Sequence, residues 1–230
     1  MSEMVTLTAG DGHQLEAYVA RPAGTPVAGL VVIQEIFGVN SHIRSVADGY
    51  ARDGFLVIAP ATFDRIERGV QLSYAGEDSK KANELMGKLR PDTALLDIAA
   101  SLAWLRQTNG NPNAGVVGFC YGGLLSWLSA TRLDPQAAVG YYPGGIGNFA
   151  EEVPKAPVML HFGEKDTHIP LSNAEKVHTL HPEVQVYLYE DAGHAFNRDV
   201  MPESYDAESA MLARERSLAF LKEHLVGAPS

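Results

Sequence analysis

The sequence predicts an α/β protein: a mostly parallel central sheet with helices on both faces, entered through an antiparallel hairpin. Three observations carry this. Short, wholly apolar runs alternate with segments of helical periodicity along most of the chain. The first twenty residues alternate apolar and polar positions around Gly10-Asp11-Gly12, as two antiparallel strands with a tight turn do. Finally, the apolar Val116-Val117 runs into Gly118-Phe119-Cys120-Tyr121-Gly122-Gly123 and then a helical pattern. That is the sharp strand-to-helix turn on which a nucleophile is presented, G-x-nucleophile-x-G, with cysteine as the nucleophile.

Taken in order, Val5–Thr8 and Leu15–Ala20 form the hairpin, and Leu30–Ile33 is a buried strand ending in Gln34-Glu35-Ile36-Phe37-Gly38. Ile43, Val46, Ala47, Tyr50 and Ala51 fall on one helical face, with Ser41 as N-cap and Gly54 as stop. Phe55–Ala59 is the next buried strand. Residues 60–80 are polar and irregular, too long for a routine connection, so a functional loop is expected there. Helices follow at Lys80–Leu89 and from Pro91, where Leu95, Ile98, Ala99 and Leu102 have core spacing. Beyond the cysteine turn, Leu124–Arg132 is helical, Ala137–Tyr142 and Val158–Phe162 are strands, Pro170–Leu180 is a helix, Val184–Tyr189 a strand and Glu203–Leu225 a closing helix. No repeat or linker interrupts residues 1–230, so one domain is expected.

Composition narrows the function. The 230 residues are 46% hydrophobic and 20% charged, ordinary for a globular chain. A formal charge of −10 argues against nucleic acid or an anionic membrane as partner. No apolar run is long enough to span a bilayer, and the opening MSEMVTLTAGDGH lacks the basic and apolar regions of a secretory signal. The single cysteine cannot form an internal disulfide. Together these features lead to the expectation of a cytoplasmic protein.

Ligands of parallel sheets bind at the carboxyl ends of the strands, and residues of useful chemistry sit there. Glu35 follows the strand ending at Ile33, Cys120 the strand at Val117, Asp166 the strand at Phe162 and His194 the strand at Tyr189. The order nucleophile, acid, histidine is that of α/β-hydrolases. A thiol needs a base within hydrogen-bond reach, which His194 provides, and Asp166 would hold the imidazole and stabilise its charged form. The backbone N–H groups of Tyr121 and Ile36 are the expected oxyanion donors. Each residue also has a plainer reading. Cys120 could be a small buried hydrophobe, Asp166 a turn or helix cap, His194 a solvated loop residue and Glu35 the partner of Arg44 or Arg52, with Glu164 a competing acid. His161 and His168 read as a strand and a loop histidine, and His13, His42, His178, His181 and His224 as surface residues. No histidine pair has the H-x-x-x-H spacing of a zinc site with a third ligand, so neither a metal nor another cofactor is expected.

Gln34-Glu35-Ile36-Phe37-Gly38-Val39-Asn40, the cysteine turn, Gly140-Tyr141-Tyr142 and Ala192-Gly193-His194-Ala195-Phe196 resemble dienelactone hydrolase over essentially the whole chain. The resemblance implies an α/β-hydrolase sheet and hydrolysis of a small lactone or ester through a thioester acyl-enzyme. It further implies that Glu35 interacts with the nucleophilic thiol and helps generate the thiolate when substrate arrives. Of the family's two arginines for a substrate carboxylate, Arg198 matches one. The other falls near Ser79, with Lys80 and Lys81 beside it, and a lysine neutralises charge without offering a bidentate fork. Met86 and Ala195 stand where the family has an aromatic residue and a serine. Two alternatives stay open: a broader esterase or thioesterase with an altered pocket, and a non-catalytic ligand-binding or redox-sensing protein using a lone thiol.

Overall fold

A computed structural model describes residues 2–226. The chain divides into two compact units, the first ending at Val116 and the second beginning at Val117.

In the first unit, β1 (Ser2–Thr8) and β2 (Gln14–Ala20) pair antiparallel, with Ser2 opposite Ala20 and Thr8 opposite Gln14. β2 pairs antiparallel with β4 (Leu56–Pro60), which pairs parallel with β3 (Gly29–Ile33), so the strand order is β1-β2-β4-β3. β3 and β4 are buried at every position, as their unbroken apolar sequences require. Between them runs α1 (Ser41–Arg52); its N-cap is Asn40, whose side chain accepts the N–H of Ile43, one residue earlier than the expected Ser41. Helix α3 (Pro91–Asn109) begins with proline at its first turn, where a missing N–H costs nothing.

Residues 60–80 are more structured than their composition suggests. A 3-10 turn at Thr62–Arg65 is held by Arg65, whose guanidinium grips buried Asp97 on α3 at 2.7 Å and Asp11 in the hairpin turn at 2.7 Å. Gln71 bridges Gly38, Leu72 N–H donates to Phe37 O at 2.9 Å, and Tyr74 packs edge-on against Phe37 at 4.5 Å. Asn40 Nδ2 donates to Leu72 O and to the Tyr74 hydroxyl. The loop is thus stitched to residues 37–40. Helix α2 (Gly76–Lys88) starts four residues before the expected Lys80, because Asp78 accepts the N–H and hydroxyl of Ser73 and, with Glu77, places acid at the helix's positive end.

β5 (Ala114–Phe119) runs from the first unit into the second and leads to α4 (Tyr121–Arg132), buried almost from end to end. There β6 (Ala138–Tyr141), β7 (Val158–Gly163) and β8 (Gln185–Tyr189) pair in parallel succession, with α5 (Leu171–Leu180) between the last two. The final helix α6 (Ala207–Leu225) begins four residues later than the sequence predicts. Tight turns at Met201–Tyr205 precede it, and Asp206 caps it by accepting the N–H of Ser209 at 2.8 Å. Two histidines expected at the surface are buried. His42 packs against Tyr74, and His181 Nε2–H donates to Ala150 O while its ring faces Trp127. No helix among the described residues is long and apolar enough to cross a membrane.

Candidate active site

The turn after β5 is as tight as its glycines imply. A Cβ on Gly118 would lie 1.9 Å from the carbonyl oxygen of Gly122, so no other residue fits. Cys120 itself has φ 56° and ψ −117°, a conformation that L-residues rarely adopt. Its backbone is fixed on both sides: the N–H donates to Tyr141 O at 3.0 Å, and the carbonyl accepts from Gly123, Leu124 and Gly144. α4 therefore starts directly behind the thiol, with the positive end of its dipole towards it. The other non-glycine residues of positive φ among those described are Tyr142 and Ala195. One follows β6 and the other follows His194, so the strained positions gather at the same strand ends.

Asp166 stands in the turn after β7. Its Oδ1 accepts the N–H groups of His168 and Ile169 at 2.7 and 3.0 Å, and its Oδ2 faces His194 Nδ1 at 2.8 Å. One oxygen of Asp166 thus serves the turn and the other faces His194. Glu164, the competing acid, is exposed. The loop carrying His194 closes onto this turn through Lys165 N–H to Ala192 O, a passage open only because Gly163 has no side chain: a Cβ there would meet Ala192 O at 2.4 Å. From the far side of the ring, His194 Nε2 reaches Cys120 Sγ at 3.3 Å. Sγ, Nε2, Nδ1 and Oδ2 form one continuous line of hydrogen-bonding atoms.

Burial works against charge on His194, but the hydrogen bonds and charges of Asp166 and Cys120 outweigh it and raise the imidazole pKa to about 10. Burial also favours the neutral form of Asp166, yet the bond from His194 and the two backbone N–H groups hold its carboxyl below the ordinary range. Tyr142 flanks the imidazole at 5.2 Å and His168 at 4.9 Å.

The same unit holds a network that sequence inspection missed. Ser217 on α6 donates its hydroxyl proton to Ala213 O at 2.7 Å, so its oxygen accepts from Tyr141 OH at 2.8 Å and from His161 Nε2–H at 2.9 Å. The Nδ1 of His161 then accepts the Tyr189 hydroxyl at 2.9 Å, and Tyr189 in turn accepts from Arg216 Nη1 at 3.2 Å. These proton positions follow from the hydrogen-bond inventory of each group. Fully buried, with Arg216 nearby, His161 has a pKa lowered to about 3 and stays neutral. The network joins β6, β7, β8 and α6. No sequence spacing signals it.

The remaining predicted residues are placed as follows. Tyr121 is the first residue of α4. Arg198 is half-buried four residues beyond His194, in a turn closed by its N–H to Ala195 O. In the first unit, Glu35 is buried in the turn after β3 and Ile36 half-buried beside it. Lys80 pairs with Glu77 and Lys81 with Glu67 at the surface.

A nucleophile turn between strand and helix, followed in chain order by acid and histidine at strand ends, defines an α/β-hydrolase. A solved α/β serine hydrolase from Xanthomonas campestris has the same fold, with a TM-score of 0.69 at 18% identity, each chain covered by 97% or more. More specifically, the model of the dienelactone hydrolase family matches residues 15–225. This chain belongs to that family and is a hydrolase. It is 32% identical to a carboxymethylenebutenolidase of Pseudomonas putida over 228 residues, 96% of either chain. The crystal structure of a "Putative Dienelactone Hydrolase" from Klebsiella pneumoniae is similar, with a TM-score of 0.86, 29% identity and coverage of 97% and 98%.

Proposed function

We propose that this protein hydrolyses small carboxylic esters or lactones by a Cys120–His194–Asp166 triad through a thioester. The observation that carries the reading is the continuous line from Cys120 Sγ through His194 to Asp166 Oδ2, with contacts of 3.3 and 2.8 Å. Cys120 Sγ, its proton held on His194 Nε2, adds to the substrate carbonyl carbon, and the C=O electron pair moves to oxygen. The N–H of Tyr121 and that of Ile36 are the proposed donors to this oxyanion. Collapse breaks the ester C–O bond, the leaving alkoxide takes the proton from Nε2, and a thioester remains. In a lactone the new hydroxyl stays tethered to the acyl group. His194 then removes a proton from water, the hydroxide adds to the thioester carbonyl, and collapse returns sulfur as thiolate while the acid departs. Asp166 keeps the ring oriented and stabilises its charge throughout. Glu35 takes the part the family resemblance gives it, assisting ionisation of the thiol, and Arg198 that of partner to a substrate carboxylate.

One observation favours a second, broader reading of specificity. Lys80 and Lys81, beside the position of the family's second arginine, are each engaged by a glutamate. A panel of anionic and neutral esters separates dienelactone-like selectivity from a general esterase or thioesterase. If Arg198 binds substrate carboxylate, Arg198→Ala abolishes discrimination between the two sets.

The primary test is hydrolysis of p-nitrophenyl acetate and several lactones by wild type and Cys120→Ala. A loss of about 10³-fold or more in kcat/KM is expected, as for removal of a triad nucleophile. Equal rates would overturn the proposal. Iodoacetamide trapping of Cys120 should slow in His194→Ala; an unchanged rate would favour the thiol-sensor alternative.

A further inference from the structure

The turn that supplies Asp166 also carries an imidazole that the hydrolytic chemistry does not use. His168, exposed, holds its ring tilted 41° to that of His194 with centroids 4.9 Å apart, and brings Nδ1 to 3.9 Å from Asp166 Oδ1. One ligand atom from each of Asp166, His168 and His194 lies within 4.8 Å of the other two, the one such grouping among the described residues. Histidine spacing along the sequence does not reveal it, because the third ligand comes from a different loop.

From this juxtaposition we propose that Asp166, His168 and His194 form an inhibitory binding site for Zn²⁺ or a similar divalent transition ion. Two imidazole nitrogens and a carboxylate oxygen are a common zinc ligand set, whereas Ca²⁺ and Mg²⁺ require more oxygen ligands. Metal–ligand bonds of about 2.0–2.1 Å in a tetrahedral arrangement separate neighbouring ligand atoms by roughly 3.3 Å. His194 Nδ1 lies 2.8 Å from Oδ2 of the carboxylate and His168 Nδ1 lies 3.9 Å from Oδ1, so modest shifts of the two rings bring both nitrogens to an ion held by Asp166. His168 is exposed, so its ring is free to adjust. The two backbone N–H bonds to Asp166 Oδ1 hold the carboxylate in place meanwhile. The fourth position falls to water.

Inhibition follows from proton accounting on His194. If the ion takes Nδ1, the proton there goes to solvent and the Nε2 proton stays on a neutral ring, which gives it to the leaving alkoxide far less readily than an imidazolium does. If the ion takes Nε2, the atom that would carry the proton is occupied. Either mode disables the ring as a proton carrier. This inhibitory consequence rests on the triad reading above; the binding site itself does not.

The test is calorimetric titration of ZnCl2 into the full chain in a non-chelating buffer, using wild type, Cys120→Ala and His168→Ala. One ion should bind wild type and Cys120→Ala with similar affinity, and His168→Ala at least tenfold more weakly. Equal binding by His168→Ala would overturn the site, and so would loss of binding in Cys120→Ala, which would put the ion on the thiol–imidazole pair. In parallel, zinc should inhibit ester hydrolysis by wild type reversibly on addition of EDTA. His168→Ala should keep the wild-type rate and need at least tenfold more zinc for the same inhibition. Zinc sensitivity unchanged in His168→Ala would overturn the inhibitory role. Because calorimetry on Cys120→Ala requires no turnover, the site can fail while the hydrolase reading stands, and the reverse.

Discussion

His161 and His194 are two enclosed imidazoles of the same unit whose surroundings drive them to opposite charge states. His194 is held between a carboxylate and a thiol at the strand ends, and its pKa rises to about 10. His161 lies among the hydroxyls of Ser217 and Tyr189, with Arg216 nearby, and its pKa falls to about 3. Desolvation penalises the charged ring in both. The difference is the partner: an anion compensates for lost water, whereas a hydroxyl does so only for a neutral ring. On the proposed function, the contrast separates a residue placed for chemistry from one placed for architecture.

The sharpest way to break this comparison is to remove each ring. His194→Ala should lower kcat/KM for p-nitrophenyl acetate by about 10³-fold or more, as removal of a triad base does. A large fall in stability with activity retained would invert the assignment.

The pH dependence of stability comes next. His161 is neutral in the fold below its unfolded pKa of 6.5, so the unfolded chain binds more protons between pH 6.5 and about 3. Stability should therefore fall with decreasing pH across this window, at up to about 1.4 kcal/mol per pH unit from this residue. Urea titrations at several pH values should show the slope, and His161→Gln should flatten it. His194 acts in the opposite direction: its linked stability is fully present below pH 6.5 and is lost as pH rises through about 10.

Asp166→Asn removes the carboxylate partner of His194. We expect kcat/KM to fall by about 10²-fold or more. The alkaline limb of the profile should shift to lower pH, because the imidazole loses a group that raises its pKa. An unmoved limb would show that Asp166 serves only its turn.

The smallest effect sharpens the architectural side. Ser217→Ala leaves the Tyr141 hydroxyl and His161 Nε2–H without their common acceptor, and should cost about 1–3 kcal/mol in urea unfolding. Turnover of the folded fraction should stay near wild type.

Much of the fold was legible because burial leaves a linear trace. Val31, Ile58 and Val117 sit in runs too apolar to face water, and each is fully buried. Errors fell where side-chain caps decide boundaries. Asn40 rather than Ser41 caps α1, and α6 waits for Asp206. His42 and His181 were misread because a histidine in an amphipathic stretch carries no mark of which way its ring turns.

Cys120, Asp166 and His194 stand out as candidates in the sequence because each lies just past a strand end, and the structure brings the three together. What the sequence by itself determined was the family, the order of the elements and which residue types follow the strand ends. Those depend on local patterning and on motifs whose glycines are sterically obligatory, as Gly118 is. Only the tertiary structure decided which oxygen of Asp166 turns to His194, that His168 joins them and that Ser217 fixes the tautomer of His161 from 56 residues away. Such contacts depend on distances between loops and helices remote in the chain, and a chain's pattern records which face a residue occupies, not which residue it meets there.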